Sequence, residues 1–242
     1  MAVRSVSNLI ETLGDAVWRA DALAHTASAD GAALSSGHAA LDAQLPGGGW
    51  PVGALCEILQ AAHHQNEWRL LLPALRTLTQ TIVLVGAPYA PFGPGLAGQG
   101  LDVRHLLWVQ ADVLSQRLWV TEQALRCTGV AAVLAWLPQV RAHALRTEHL
   151  RRLHLAAQAQ SKLLWVLREA TAQAESSPAV LRLLVTQTPE GALAVDVLKR
   201  RGPPLDNTLH LPARHAVLSA LLAVGATTFE QSHALDRLAA AA

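Results

Sequence analysis

The stretch PGGGWPVGALCEILQAAHHQNEWRLLLPAL, residues 46–75, decides the fold. A glycine-rich turn leads into the apolar run ALCEIL (54–59), and a segment of helical period follows from about Asn66. Turn, buried strand, loop and helix in that order form the approach to a phosphate-binding loop. The loop itself, QAAHHQNE (60–67), does not fit that role. Phosphate loops have the pattern GxxxxGK[ST]: glycines let backbone N–H groups wrap a phosphate, lysine neutralises it, and the hydroxyl holds Mg²⁺. Here Gln60 and Gln65 replace the glycines, Asn66 the lysine and Glu67 the hydroxyl. A carboxylate at that position repels phosphate, and residues 54–80 contain neither lysine nor glycine to offset it.

Outward from this stretch, short apolar runs alternate with helical segments. TIVLVG (81–86), LLWVQ (106–110), AAVLAWL (131–137) and KLLWVL (162–167) read as buried strands, with helices over 66–79, 114–127 and 143–160. That alternation predicts an α/β fold, a mainly parallel sheet flanked by helices. VLRLLVTQT (180–188), the turn PEG and ALAVDVLKRRG (192–202) then predict an antiparallel edge hairpin. Residues 1–36 read as an N-terminal helical arm, 37–212 as the core and 213–242 as a C-terminal helical tail.

Two further absences agree with the loop. AAVLAWLPQ ends in Trp136, Leu137 and Pro138, where an aspartate would position Mg²⁺ through water. TIVLVGAPYAP is followed by no acidic residue to activate an attacking water. The sequence therefore predicts no ATP hydrolysis and no cofactor.

Composition bounds the rest. Hydrophobic residues make up 51% of the 242 and charged residues 15%, so the chain can bury a large core. A net charge of +1 gives no bulk signature of nucleic-acid binding, so any such surface is local. Cys56 and Cys127 sit in apolar segments without a disulfide framework, which fits a reducing cytoplasm and burial as small hydrophobes. The N-terminus lacks a secretory core, and AVLSALLAVGA (216–226) is shorter than the roughly 18 apolar residues of a membrane span. A cytoplasmic protein is expected. His63 and His64 are adjacent, and His149 and His154 are five apart, neither spacing suited to a metal.

The segments LPGGGWPVGAL (45–55), EWRLLLPAL (67–75), VWRADAL (17–23), LRRLHLAAQ (150–158) and VLKRRGPP (197–204) resemble the ImuA family. These are RecA-like accessory proteins of bacterial damage-induced mutagenesis cassettes. The resemblance implies a RecA-like core and a part in error-prone translesion synthesis during the SOS response. It also implies two partners, an ImuB-type relative of Y-family polymerases and an error-prone replicative-type polymerase subunit. HHQN stands where the family leads one to expect glycine. The same superfamily contains SulA cell-division inhibitors, which bind the tubulin-like division GTPase. That role and an unconventional DNA-dependent ATPase are the rival readings.

Remaining signals are local. Lys199, Arg200 and Arg201 read either as contacts to DNA phosphates or as a solvated hairpin end clamping a partner's acids. The helix around 143–160, with Arg141 and Arg146 near its start, reads as the remnant of a recombinase DNA surface or as an amphipathic helix with a basic outer face. Trp108, Trp136 and Trp165 fall in expected core strands. Trp50, in the glycine-rich turn, either fills the vacated nucleotide pocket or anchors a partner. Trp18 and Arg19 belong to the arm, which in RecA-like proteins mediates self-association, so they are candidate partner contacts.

Overall fold

The computed structural model describes residues 32–61, 66–137, 145–189 and 191–212. Trp18, Arg19, His63, His64, Gln65, Arg141 and the expected tail at 213–242 lie outside the described residues.

The sheet forms where the apolar runs predict it. Its strands are β3 (Ala54–Gln60), β4 (Thr81–Val85), β5 (Leu106–Val109), β6 (Val130–Trp136), β7 (Leu163–Glu169), β8 (Leu181–Gln187), β9 (Leu193–Lys199) and β10 (Leu209–Leu211). They lie in the order β10-β9-β8-β3-β7-β6-β4-β5. From β8 to β5 every pairing is parallel, while β9 joins β8 and β10 joins β9 antiparallel. This is an α/β fold consistent with a RecA-like core. The hairpin of β8 and β9 is as expected, but β10 adds a further strand beyond it. Three residues between prolines and polar turns carry too little pattern to announce a strand.

Helices α1 (Ala39–Asp42), α2 (Glu67–Leu75), α3 (Gly93–Gly98), α4 (Leu114–Arg126) and α5 (Thr147–Ala159) cover the two faces. Leu70, Leu71 and Leu75 of α2 bury one face together with Ile58, Leu84, Leu134 and Trp165. Leu118 and Leu125 of α4 and Leu150 and Leu153 of α5 bury the other with Leu55, Val83, Val133 and Val166. Burying apolar side chains on both faces supplies the main driving force for such a sheet. Lys162 joins the layers: its ammonium donates to the carbonyls of Cys127, Thr128 and Val130, where α4 ends. A cation there also meets the negative end of the helix.

The glycine-rich turn has a structural purpose. β1 (Ala33–Leu34) pairs antiparallel with β2 (Trp50–Pro51). A side chain at Gly49 would collide with the Leu34 carbonyl, so the close approach of the two segments requires glycine. Residues 33–36, assigned to the arm from sequence, are thus tied to the core, and Ser36 is fully buried.

One smaller expectation changes. Cys56 is buried, but Cys127 is exposed at the turn leaving α4. Leu155 is exposed on α5, outside the apolar stripe formed by Leu150 and Leu153. Among the described residues no helix is long and apolar enough to cross a membrane, and no group of three or more His, Cys, Asp or Glu is placed to hold a metal.

Candidate functional site

Gln60 is the last residue of β3 and Glu67 the first of α2, with Asn66 just before it. The loop residues that part from the phosphate-binding pattern therefore stand at the strand end and helix start where a phosphate would sit. Their side chains bond to one another. Gln60 Nε2 donates to Glu67 Oε2 at 2.7 Å, and Gln60 Oε1 accepts from the Asn66 backbone N–H at 3.1 Å. All three residues are buried. One side-chain amide satisfies both ends of the loop, where a nucleotide site would keep its N–H groups free.

Burial pushes the Glu67 carboxyl above its ordinary range, against the opposing effect of the Gln60 hydrogen bond and of its own backbone N–H. The Trp136 indole lies beside the same carboxyl and lowers its pKa slightly, although its N–H falls outside hydrogen-bond geometry. Among the described residues no cation pairs with Glu67.

A cleft of about 270 Å³ has Glu67 among its lining residues. Its walls include Glu67 and Trp68, the segment Ala87–Phe92 that follows β4, and Trp136 at the end of β6. The three places at which the sequence departs from nucleotide chemistry thus converge on one cleft. At its β4 and β6 edge, Gly86 has φ +64, and a Cβ there would lie 2.6 Å from Arg117 Nε. Arg117 crosses that glycine to donate to the carbonyls of Ala111 (2.7 Å) and Trp136 (2.6 Å).

Trp50 is corrected on both counts. It is fully buried and meets Trp165 edge-on, with ring centroids 5.7 Å apart, so it presents no surface to a partner. Nor does it lie at the strand end and helix start that flank the loop. Trp165 pairs in register with Cys56, four residues before Gln60, roughly 13 Å along the strand. An indole between proline and a glycine-rich turn reads as exposed only until β1 covers it.

A second cleft, of about 440 Å³, lies at the other end of β3. The glycine-rich turn, His154, Gln158, Arg200 and Arg201 are among its walls. Arg200 is held by the carbonyls of Gln44 and Pro203 (the latter at 2.8 Å), and Lys199 donates to the Ser177 carbonyl at 2.9 Å. Arg201 is exposed. Arg146 stands at the start of α5 and His154 is the nearest residue of that helix in the cleft wall, so about 12 Å of helix separates Arg146 from this cleft. Among the described residues, Arg146 does not gather with Lys199, Arg200 and Arg201 on one patch. On α5 itself, Arg152 pairs with Glu122 at 3.0 Å, as on an amphipathic helix packed beside α4.

The sequence reading missed the buried charges beneath these sites. Glu57, fully buried on β3, accepts from Arg168 (3.0 Å) and Arg182 (2.6 Å). Arg168 also meets Glu175 at 2.5 Å, and Arg182 donates to the carbonyls of Ala172 and Glu175. A glutamate inside an apolar strand, with arginines inside two others, was the signal available.

No protein-family model matches the chain. Part of it is nevertheless similar to curated proteins. Both are Protein ImuA. One is from Caulobacter vibrioides strain NA1000 / CB15N and the other from strain ATCC 19089 / CIP 103742 / CB 15. Each is 32% identical over 110 residues, covering 42% of this chain and 45% of the relative. The chain thus matches less than half the length of either relative. This likeness supports a distant, partial relationship to ImuA proteins.

Proposed function

We propose that this chain is a non-catalytic, RecA-like accessory protein of a damage-induced mutagenesis system. In this reading it keeps the recombinase shape, has lost its nucleotide chemistry, and binds an ImuB-type polymerase relative to support error-prone synthesis across lesions with a replicative-type polymerase subunit. One observation carries the loss of chemistry: the Gln60–Glu67 pair occupies the strand end and helix start where phosphate would bind. The likeness to Protein ImuA of Caulobacter vibrioides supports the choice of system. DNA contact, direct or through the partner, is assigned to the turn of Lys199, Arg200 and Arg201. Trp18 and Arg19 are assigned to partner contacts or self-association.

The test is to tag the protein in its native host, apply a DNA-damaging agent and identify what copurifies. Recovery of a Y-family polymerase relative is the expected result. Recovery of the tubulin-like division GTPase instead would move the chain to the cell-division branch. Fluorescent-nucleotide titration with Mg²⁺ tests the other half, and micromolar binding would restore an ATPase reading.

A further inference from the structure

We infer that the vacated nucleotide place has reversed its charge preference and receives an arginine side chain presented by a partner protein. Four observations carry this. The first is the aromatic wall: Trp68, Tyr89, Phe92 and Trp136 all line the cleft. The second is that one lining residue, Glu67, carries a buried carboxyl with no cationic partner among the described residues. The third is that, among the described residues, no lysine, arginine or histidine lines the cleft, and Arg117 at its edge is committed to two carbonyls. The fourth is size. At about 270 Å³ the cleft lies at the small end of ligand pockets and has room for a single side chain.

The chemistry selects guanidinium. A carboxylate held away from water favours a cation that can hydrogen-bond to it, and aromatic faces attract cations through their quadrupoles. Guanidinium is planar, stacks on such faces and is more weakly hydrated than ammonium, so it loses less on leaving water. Tyr89 and Phe92 are 66% and 73% exposed, an unusual placement for large apolar rings unless a partner covers them. The raised carboxyl pKa agrees: Glu67 is destabilised as an anion in the free protein, and an arriving cation relieves it. The arginine ligand rests on the reading that no nucleotide occupies this place. It does not depend on which partner supplies the arginine.

The experiment uses the full chain with ¹⁵N-indole tryptophan and follows the Trp68 and Trp136 N–H resonances, assigned by Trp68→Phe and Trp136→Phe. The probes are acetyl-Gly-Arg-Gly-amide, the same peptide with neutral citrulline, the lysine peptide, and MgATP. The arginine peptide should shift both resonances to saturation below about ten millimolar, with lysine weaker and citrulline silent. Glu67→Gln should weaken the arginine peptide by about tenfold or more, the scale of one charge-assisted hydrogen bond. Phe92→Ala, at an exposed position that folding does not need, should weaken it several-fold. Equal shifts from arginine and citrulline, tighter binding of lysine, or no shift from any peptide would overturn the arginine site. Saturable shifts from MgATP would instead overturn the reading beneath it, whatever the peptides do.

Discussion

Gln60 donates to Glu67 over 2.7 Å while its own oxygen accepts from the backbone next to Glu67, so a single amide fastens the end of β3 to the start of α2. In a nucleotide site, bound phosphate satisfies the N–H groups at this junction. In this protein the Gln60 side chain accepts from one such N–H, that of Asn66.

Removing that fastening should be costly. Gln60→Leu leaves a buried carboxylate and a buried N–H without their partner, a loss of about 1–3 kcal/mol. The double variant Gln60→Leu/Glu67→Leu should cost less than the sum of the two single changes, because it removes both members of the pair. Urea denaturation of the four proteins measures this. Strict additivity would mean the hydrogen bond contributes nothing of its own.

The pH dependence of Glu67 has a definite sign. Burial raises its folded pKa above the ordinary 4.5, so the fold holds this proton more tightly than the unfolded chain does. Its contribution is fully present below about pH 4.5 and is lost as pH rises through the raised value. Glu67→Gln keeps the shape without the charge. Its thermal midpoint should therefore gain on the wild type as pH increases from 4.5 towards neutrality. A constant difference across that range would show that the carboxylate is not strained by burial.

His154 behaves in the opposite sense. Its Nδ1 accepts the Leu55 backbone N–H at 3.1 Å, which requires that nitrogen to be unprotonated. Burial, then the charges of Arg201 and Lys199, lower its pKa below 6.5. For a base with a depressed folded pKa, stability is present above about pH 6.5 and is lost as pH falls through the folded value. His154→Asn offers an amide oxygen in place of Nδ1 and cannot charge. The variant should lose less stability than wild type between pH 7 and 5, as read by thermal melts along a pH series.

Strands and helices were legible because each buried strand is a continuous apolar run and each helix keeps its period. Thus ALCEIL became β3 and TEHLRRLHLAAQA became α5. The loop's departure from the phosphate-binding pattern was legible too, because that pattern depends on residue types at fixed offsets. Partnerships between distant segments were not. Nothing local tells Trp50 that Leu34 will pair with it and Trp165 will pack against it. Nor does spacing show that Glu67, Tyr89 and Trp136 share one cleft, since only the order of strands in the sheet brings them together.

The charged cluster under the sheet gives the sharpest test of packing. Glu57 is fully buried between Arg168 and Arg182, and backbone carbonyls of Ala172 and Glu175 take further bonds from Arg182. Such a group is worth little against a well-packed apolar replacement, because the attraction mostly repays desolvation. Breaking one side is different, since it leaves charge buried and unmatched. Glu57→Gln preserves volume and leaves Arg182 facing a neutral amide, while Arg168 keeps Glu175, so it should cost about 3 kcal/mol. Replacing Glu57, Arg168 and Arg182 together by Leu or Met should cost less than that single change. Denaturant midpoints decide between these outcomes. If Glu57→Gln proves nearly neutral, water reaches this site and the cluster is not the dry network that its geometry describes.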